Sequence, residues 1–238
     1  MNSVLDLQEM KNNLRLLNER ISLACTSCGR SVNDVTLIWV SKFHPQEAVD
    51  TAYAIGAREF GENRVQEAIE KFSQKKDGVR CHIIGPVQSN KLKKAALVAD
   101  VIHSMDSLES LEKLNRYSAE LNKVLDVLIQ LNTSEEDTKS GLQMADAKAF
   151  LESLPAHSHL RYRGLMTIGK NTDLAEDSRA GFSFLRTLRD EFVNRDSRFS
   201  HFTELSMGMT GDLEVAIEEG ATMIRVGTAL FGSRQYNA

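Results

Sequence analysis

Apolar side chains at Val4, Leu7, Met10, Leu14, Leu17, Ile21 and Leu23 recur at close to one face of a helix, and Gly29 follows as a stop. The chain is therefore expected to open with an amphipathic helix. Beyond it, short β-branched or apolar runs return at intervals: VTLIWVS at 35 to 41, REFG at 58 to 61, CHIIG at 81 to 85 and DVIHSM at 100 to 105. The series continues with VLDVLIQL at 124 to 131, LRYRGLMTIG at 160 to 169, ELSMG at 204 to 208 and MIRVGTALFG at 223 to 232. Between them lie helix-period segments such as PQEAVDTAYAIG, LESLEKLNRYSAEL, AFLESL, FSFLRTLRDEFV and DLEVAIEEG, several closed by glycine. About eight strand-helix units without a Pro/Gly-rich linker favour a closed parallel (β/α)8 TIM barrel, with a doubly wound open sheet as the competing architecture. Residues 1 to 238 are read as a single barrel domain, with 1 to 30 forming the helix packed on it.

The net charge of −4 over 238 residues lacks the basic field that sequence-independent nucleic-acid binding needs, so nucleic acid is not an expected partner. The N-terminal stretch MNSVLDLQEMKNNLRLLNER interrupts any signal-peptide core, and no run approaches the ~20 apolar residues of a membrane span. A cytoplasmic, membrane-free protein is expected, acting as a monomer. Three cysteines are too few for a disulfide framework. Cys25 and Cys28 have the spacing of half a zinc site or a redox pair, but no second ligand pair accompanies them, and reduced thiols are the simpler reading.

In a parallel barrel the chemistry gathers at the C-terminal ends of the strands. Lys42 closes the first strand in Val40-Ser41-Lys42, where a lysine among apolar neighbours such as Trp39 is placed to attack a carbonyl; a lysine merely reaching solvent from a strand end reads equally well. Ser206-Met207-Gly208-Met209-Thr210-Gly211 leaves the seventh strand and enters a helix, and Arg225-Val226-Gly227-Thr228 leaves the eighth. Such small, hydroxyl-bearing turns suit an anion, and barrels commonly place a phosphate there. The alternative is ordinary turn chemistry, with Thr210 as a helix cap and Gly227 easing a bend. Amides and hydroxyls also crowd Phe60-Gly61-Glu62-Asn63 and Gln88-Ser89-Asn90, both of which read as helix entries too. His82 lies within its strand, so on position alone it is a buried, hydrogen-bonded histidine rather than a general base.

Taken in order, Val40-Ser41-Lys42, Phe60-Gly61-Glu62-Asn63 with Val65-Gln66-Glu67, His82 through Lys91, Lys139-Ser140-Gly141, Gly164-Leu165-Met166, Ser206 through Thr210 and Arg225 through Thr228 resemble the pyridoxal phosphate homeostasis family, also called YggS-like or proline synthase co-transcribed proteins. The resemblance runs from about Val35 to Arg234. It implies the barrel of the alanine racemase N-terminal domain and pyridoxal 5′-phosphate held as a Schiff base on Lys42, with Arg225 opposite the pyridine nitrogen. Ser206, Gly208, Thr210, Gly227 and Thr228 then resemble a phosphate cradle, and Asn63, His82, Met166 and Met207 join the cofactor-binding set. No catalytic residue and no metal ligand are implied. Phe43, His44 and Thr210 depart from the family's usual residues, Thr210 keeping the hydroxyl.

The family's implied role is a carrier or buffer supplying the cofactor to apo pyridoxal-dependent enzymes. A barrel racemase needs a second acid/base, a tyrosine contributed by a further domain, and Tyr53, Tyr117, Tyr162 and Tyr236 offer no obvious replacement. Arginine at the ring nitrogen also weakens the electron sink that carbanion chemistry needs. Two alternatives remain at this point: a weak amino-acid racemase, which would exchange substrate α-protons with solvent, and a Schiff-base aldolase acting on a phosphosugar, which would carry no coloured cofactor.

Overall fold

Eight parallel strands close on themselves. The computed structural model describes residues 6–134 and 140–232. Its strands are β1 (Thr36–Val40), β2 (Glu59–Glu62), β3 (Arg80–Ile83), β4 (Val101–Met105), β5 (Leu125–Asn132), β6 (Leu142–Gln143), β7 (Leu160–Thr167), β8 (Glu204–Ser206) and β9 (Met223–Val226). Each neighbouring pair from β1 through β5 bonds in order, β5 continues to β7, β8 and β9, and β9 returns to β1. The two-residue β6 hooks onto the end of β5. The helices are α1 (Leu7–Ser27), α2 (Gln46–Ala54), α3 (Val65–Phe72), α4 (Leu92–Val98), α5 (Leu108–Glu120), α6 (Met144–Ser153), α7 (Arg179–Phe192), α8 (Leu213–Glu218) and α9 (Thr228–Phe231). This is the (β/α)8 barrel, and the open-sheet alternative falls because β4 pairs with β5 and completes a ring in which each of the eight strands is paired on both edges.

The opening helix behaves largely as its spacing predicts. Asp6 caps it by accepting the Glu9 amide at 2.8 Å. Met10, Leu17, Ile21, Ala24 and Cys25 are buried, and Gly29 leaves at φ +71°. Leu7 at the first turn and Leu23 are exceptions at 45% and 71% exposure, Leu23 because two residues past Ile21 is about 200° around the helix; Val4 lies outside the described residues. α1 packs on α8 and α9. There Arg20 donates to both Glu214 carboxylate oxygens and, at 2.9 Å, to the Thr210 carbonyl. Asn13 reaches the Leu230 carbonyl and Arg30 the Ile217 carbonyl.

Strand alternation sorts the core into two compartments. Trp39, Phe60, Cys81, Ile83, Leu205, Met207, Ile224 and Val226 belong to the large sheath between strands and helices, whereas Val101, Leu128 and Met166, with Ile168 against them, form a separate cluster inside the barrel. β7 carries one extra residue against β5: Val127 pairs Tyr162 but Leu128 pairs Gly164. Gly164 takes φ +151° at that bulge. Two expectations about element ends are corrected. Only Met223–Val226 of the run at 223 to 232 is strand; the carbonyl of Gly227 accepts the Leu230 and Phe231 amides at 2.9 Å and turns the remainder into α9. Thr210 does not cap α8 either, since Asp212 stands at that position and accepts the Met209 amide at 2.6 Å. Among the described residues no helix is long and apolar enough to cross a membrane.

Candidate functional site

A cavity of about 460 Å³ opens at the C-terminal ends of the strands, lined by Lys42, Asn63, Met166, Thr210, Arg225, Gly227 and Thr228 among others. Lys42 lies two residues beyond β1, in a turn where the His44 amide donates to the Ser41 carbonyl at 3.0 Å and Phe43 takes φ +66°. Trp39 faces the sheath, so it is not the apolar neighbour of the Lys42 amine that adjacency suggested. The backbone on both sides of Lys42 is gripped from β2 and α3. Lys71 Nζ donates at 2.8 Å to the Ser41 carbonyl and to Glu62 Oε1, Ser41 Oγ donates to the same carboxylate oxygen at 2.7 Å, and the Phe43 amide donates to Glu67 Oε2 at 2.9 Å. Burial pushes the Glu62 carboxyl up and Lys71 opposes it. Its second oxygen is buried without a hydrogen-bond partner, so Lys71 carries most of the compensation. Lys71→Met is expected to cost about 3 kcal/mol of unfolding free energy in urea titrations, the usual penalty for orphaning a buried charge.

Arg225, only 4% exposed, is fixed by two side-chain bonds: one terminal nitrogen donates to Ser206 Oγ and the other to the Thr167 carbonyl, each at 2.7 Å. Burial lowers its pKa to about 10, with Asp212 opposing, so it stays protonated at neutral pH. Beneath it Ser206 Oγ lies 2.9 Å from His103 Nδ1, His103 Nε2 lies 2.8 Å from His82 Nδ1, and His82 Nε2 lies 2.5 Å from Glu59 Oε2. His82 and Ser206 thus stand under the cavity rather than on its wall. Met207 is not on the wall either; it follows inward-facing Ser206 and must point into the sheath. Gly208 serves the backbone. It sits at φ +89°, its carbonyl accepts the Arg225 amide at 3.0 Å, and an added Cβ would lie 2.5 Å from the Ala216 methyl.

Burial, helped by the charges of Arg225 and Arg80, holds the wholly buried His103 ring well below the ordinary histidine value of 6.5. The unfolded chain takes up a proton there and the folded one does not, so stability is full above pH 6.5 and is lost as pH falls below it. The expected slope is about 1.4 kcal/mol for each unit of pH below that point. Urea titrations at several pH values should show it, and His103→Asn should flatten it.

Several cavity residues were not singled out as site residues from the sequence: His44, Ile84, Gly85, Gln130, Ile168 and Met209. Gln130 had a usable signal, being an amide near the C-terminal end of an otherwise apolar strand; its Nε2 donates to the Ser140 carbonyl at 2.9 Å. His44 lies flat on Phe231 with ring centroids 4.8 Å apart. Lys139 and Tyr236 lie outside the described residues, as does the Arg234 end of the resemblance.

Residues 5–235 match the family described as alanine racemase, N-terminal domain. Over 236 residues the chain is 38% identical to the pyridoxal phosphate homeostasis protein of Escherichia coli, covering 97% of this chain and 99% of that one. The chain belongs to the pyridoxal phosphate homeostasis protein family. Among solved structures, PipY of Synechococcus elongatus with pyridoxal phosphate bound superimposes with a TM-score of 0.78 at 40% identity, over 89% of this chain and 100% of that one. The alanine racemase of Clostridium difficile aligns with a TM-score of 0.71 at 16% identity, over 95% of this chain and 58% of that one, a likeness of fold alone.

Proposed function

We propose that this protein is a cytoplasmic, monomeric carrier or buffer of pyridoxal 5′-phosphate, with residues 1–238 serving as one cofactor-binding domain and Lys42 bonding the cofactor. The observation that carries this reading is a single cavity lined by a lysine, a buried arginine and two small turns, 209–211 after β8 and 227–228 after β9, with β9 paired to β1. β1 and β9 are paired directly, Ile38 opposite Arg225, which brings amine and guanidinium to one wall. The donor set fits the cofactor. Lys42 would hold its aldehyde carbon and Arg225 its ring nitrogen. The hydroxyls of Thr210 and Thr228, with the first amides of α9, would hold its phosphate. At Gly227 an added Cβ would stand 3.1 Å from the Val40 carbonyl oxygen, tighter than an ordinary contact, so glycine lets this turn lie close to β1 without displacing it. Ser206 and His82 act from behind Arg225, and Met166 and Asn63 supply the cavity's side walls.

When bound, the cofactor supplies an aldehyde that bonds reversibly to amines and a ring that draws electrons from that bond. The chain does little to exploit the ring. Arg225 stays a donor and has no acid proton to give to the ring nitrogen at neutral pH. Among the described residues the ionisable side chains on the wall are Lys42, His44 and Arg225, and no tyrosine. Tyr162, the most buried tyrosine described, donates to the Pro155 carbonyl, and burial pushes its phenol up. Holding and releasing the cofactor suits this set better than moving a substrate proton. The presence of His44 on the wall gives a weak racemase its best remaining argument, and the absence of alanine α-proton exchange in heavy water would remove it.

The carrier reading is tested by mixing loaded protein with a cofactor-free pyridoxal-dependent enzyme, against an equal amount of free cofactor. Activation to the same end point is expected. An enzyme left inactive beside loaded protein would show the cofactor sequestered without supply, contrary to the carrier role.

A further inference from the structure

Arginine has donors and no acceptor, which gives the buried chain beneath the cavity a direction. The Arg225 bond occupies one lone pair of Ser206 Oγ at 2.7 Å, and the serine hydrogen is free to reach His103 Nδ1 at 2.9 Å. With that nitrogen as the acceptor, a neutral His103 carries its proton on Nε2 and donates it to His82 Nδ1 at 2.8 Å. His82 in turn keeps its proton on Nε2, facing Glu59 Oε2 at 2.5 Å. Glu59 is the first residue of β2, at the barrel mouth opposite the cavity, and its side chain is 23% exposed. The opposite polarity would require a protonated Glu59 or a second proton on His82. Burial raises that carboxyl, but the hydrogen bond from His82 and the charge of Arg80 bring it below the ordinary carboxylate range.

We propose that Glu59, His82, His103 and Ser206 are positioning residues for Arg225, forming a one-way hydrogen-bond chain through the barrel that holds the guanidinium against the cofactor cavity and couples it to the carboxylate at the far mouth. The proposal rests on the reading that Arg225 faces the cofactor ring. Three of the four residues are wholly buried, where hydrogen bonds in series polarise one another and a terminal charge is felt along the whole chain. Without Ser206 as acceptor, one terminal nitrogen of Arg225 would lose its hydrogen bond and the guanidinium could rotate away from the plane set by the Thr167 carbonyl. Glu59 thereby acts on the cofactor without touching it.

The chain can be tested without cofactor. In the cofactor-free full-length protein labelled with ¹⁵N-histidine, long-range proton-nitrogen spectra at neutral pH should show His82 and His103 each protonated on Nε2 and bare on Nδ1. A proton on Nδ1 of either ring, or a doubly protonated ring, overturns the proposal. In a second arm, Glu59→Gln keeps an acceptor but removes the charge. The loaded variant is expected to bind pyridoxal 5′-phosphate about threefold to tenfold more weakly, with a displaced absorption maximum, the scale expected of a cooperative buried chain. Thermal unfolding of the cofactor-free variant checks that the fold persists. Wild-type affinity together with an unmoved band would show that these residues only pack the barrel floor, and would overturn the proposal. Failure of the wild-type protein to bind the cofactor would refute the functional reading instead, a result the histidine spectra are independent of.

Discussion

Lys42→Ala is expected to remain folded yet to lose pyridoxal 5′-phosphate during desalting, together with the near-visible absorption of the loaded protein. Position 42 lies in a turn that is held through its neighbours by the Ser41 carbonyl on Lys71, Ser41 Oγ on Glu62 and the Phe43 amide on Glu67. Removing the side chain therefore takes away the amine and leaves the scaffold. What remains is the phosphate-holding pair of turns and Arg225, which are expected to bind at least about 100-fold more weakly, roughly 2.7 kcal/mol. Absorbance titration and equilibrium dialysis measure this directly. Borohydride treatment of the loaded wild-type protein should fix the cofactor to the peptide containing Lys42. An adduct on the peptide containing Lys139 would instead refute the assignment of the bonding lysine.

The largest effect on stability is expected at Gly164. An added Cβ there would overlap the Glu204 carbonyl oxygen and stand 2.8 Å from the carbon that bears it, at a backbone φ of +151° that side chains avoid. Both the β7–β8 seam and the bulge against β5 depend on this residue. Gly164→Ala is expected to cost about 4 kcal/mol or more, since backbone cannot yield as a flexible side chain does. For a chain of this length that lowers the melting temperature by about 10 °C. Two residues on, Met166 lines the cavity, so the surviving folded fraction should also bind the cofactor less well. Calorimetry with and without cofactor separates the two effects. A variant melting within 2 °C or so of the wild type, less than 1 kcal/mol, would show that β7 absorbs the clash.

The eight-strand alternation was legible because each barrel strand is a short apolar run punctuated by turn residues, and the ends that mattered for chemistry fell where a parallel barrel puts them. Legibility stopped at depth. Sequence order shows that Ser206 and His82 lie in strands but not that they occupy the layer beneath Arg225, and period-two alternation had to be applied from Ser206 to see that Met207 points away. The carboxylate-imidazole chain joins positions 59, 82, 103, 206 and 225, one from each of five strands, and no local pattern connects them. α9 was hidden in an apolar run because four residues are too few to show a helical period, and β6 is shorter still. Leu23 shows the converse error, an apolar residue assigned to a face that its angle around the helix excludes.

The bond from Arg20 to the Thr210 carbonyl ties the leading helix to a turn of the cofactor cavity. Binding equilibria are reciprocal: whatever firms that turn when ligand arrives must firm the docking of α1 by the same free energy. Backbone amides of α1 should accordingly exchange with deuterated solvent more slowly in loaded protein, and a partner that pries α1 loose would lower the grip on the vitamin from the outside of the barrel.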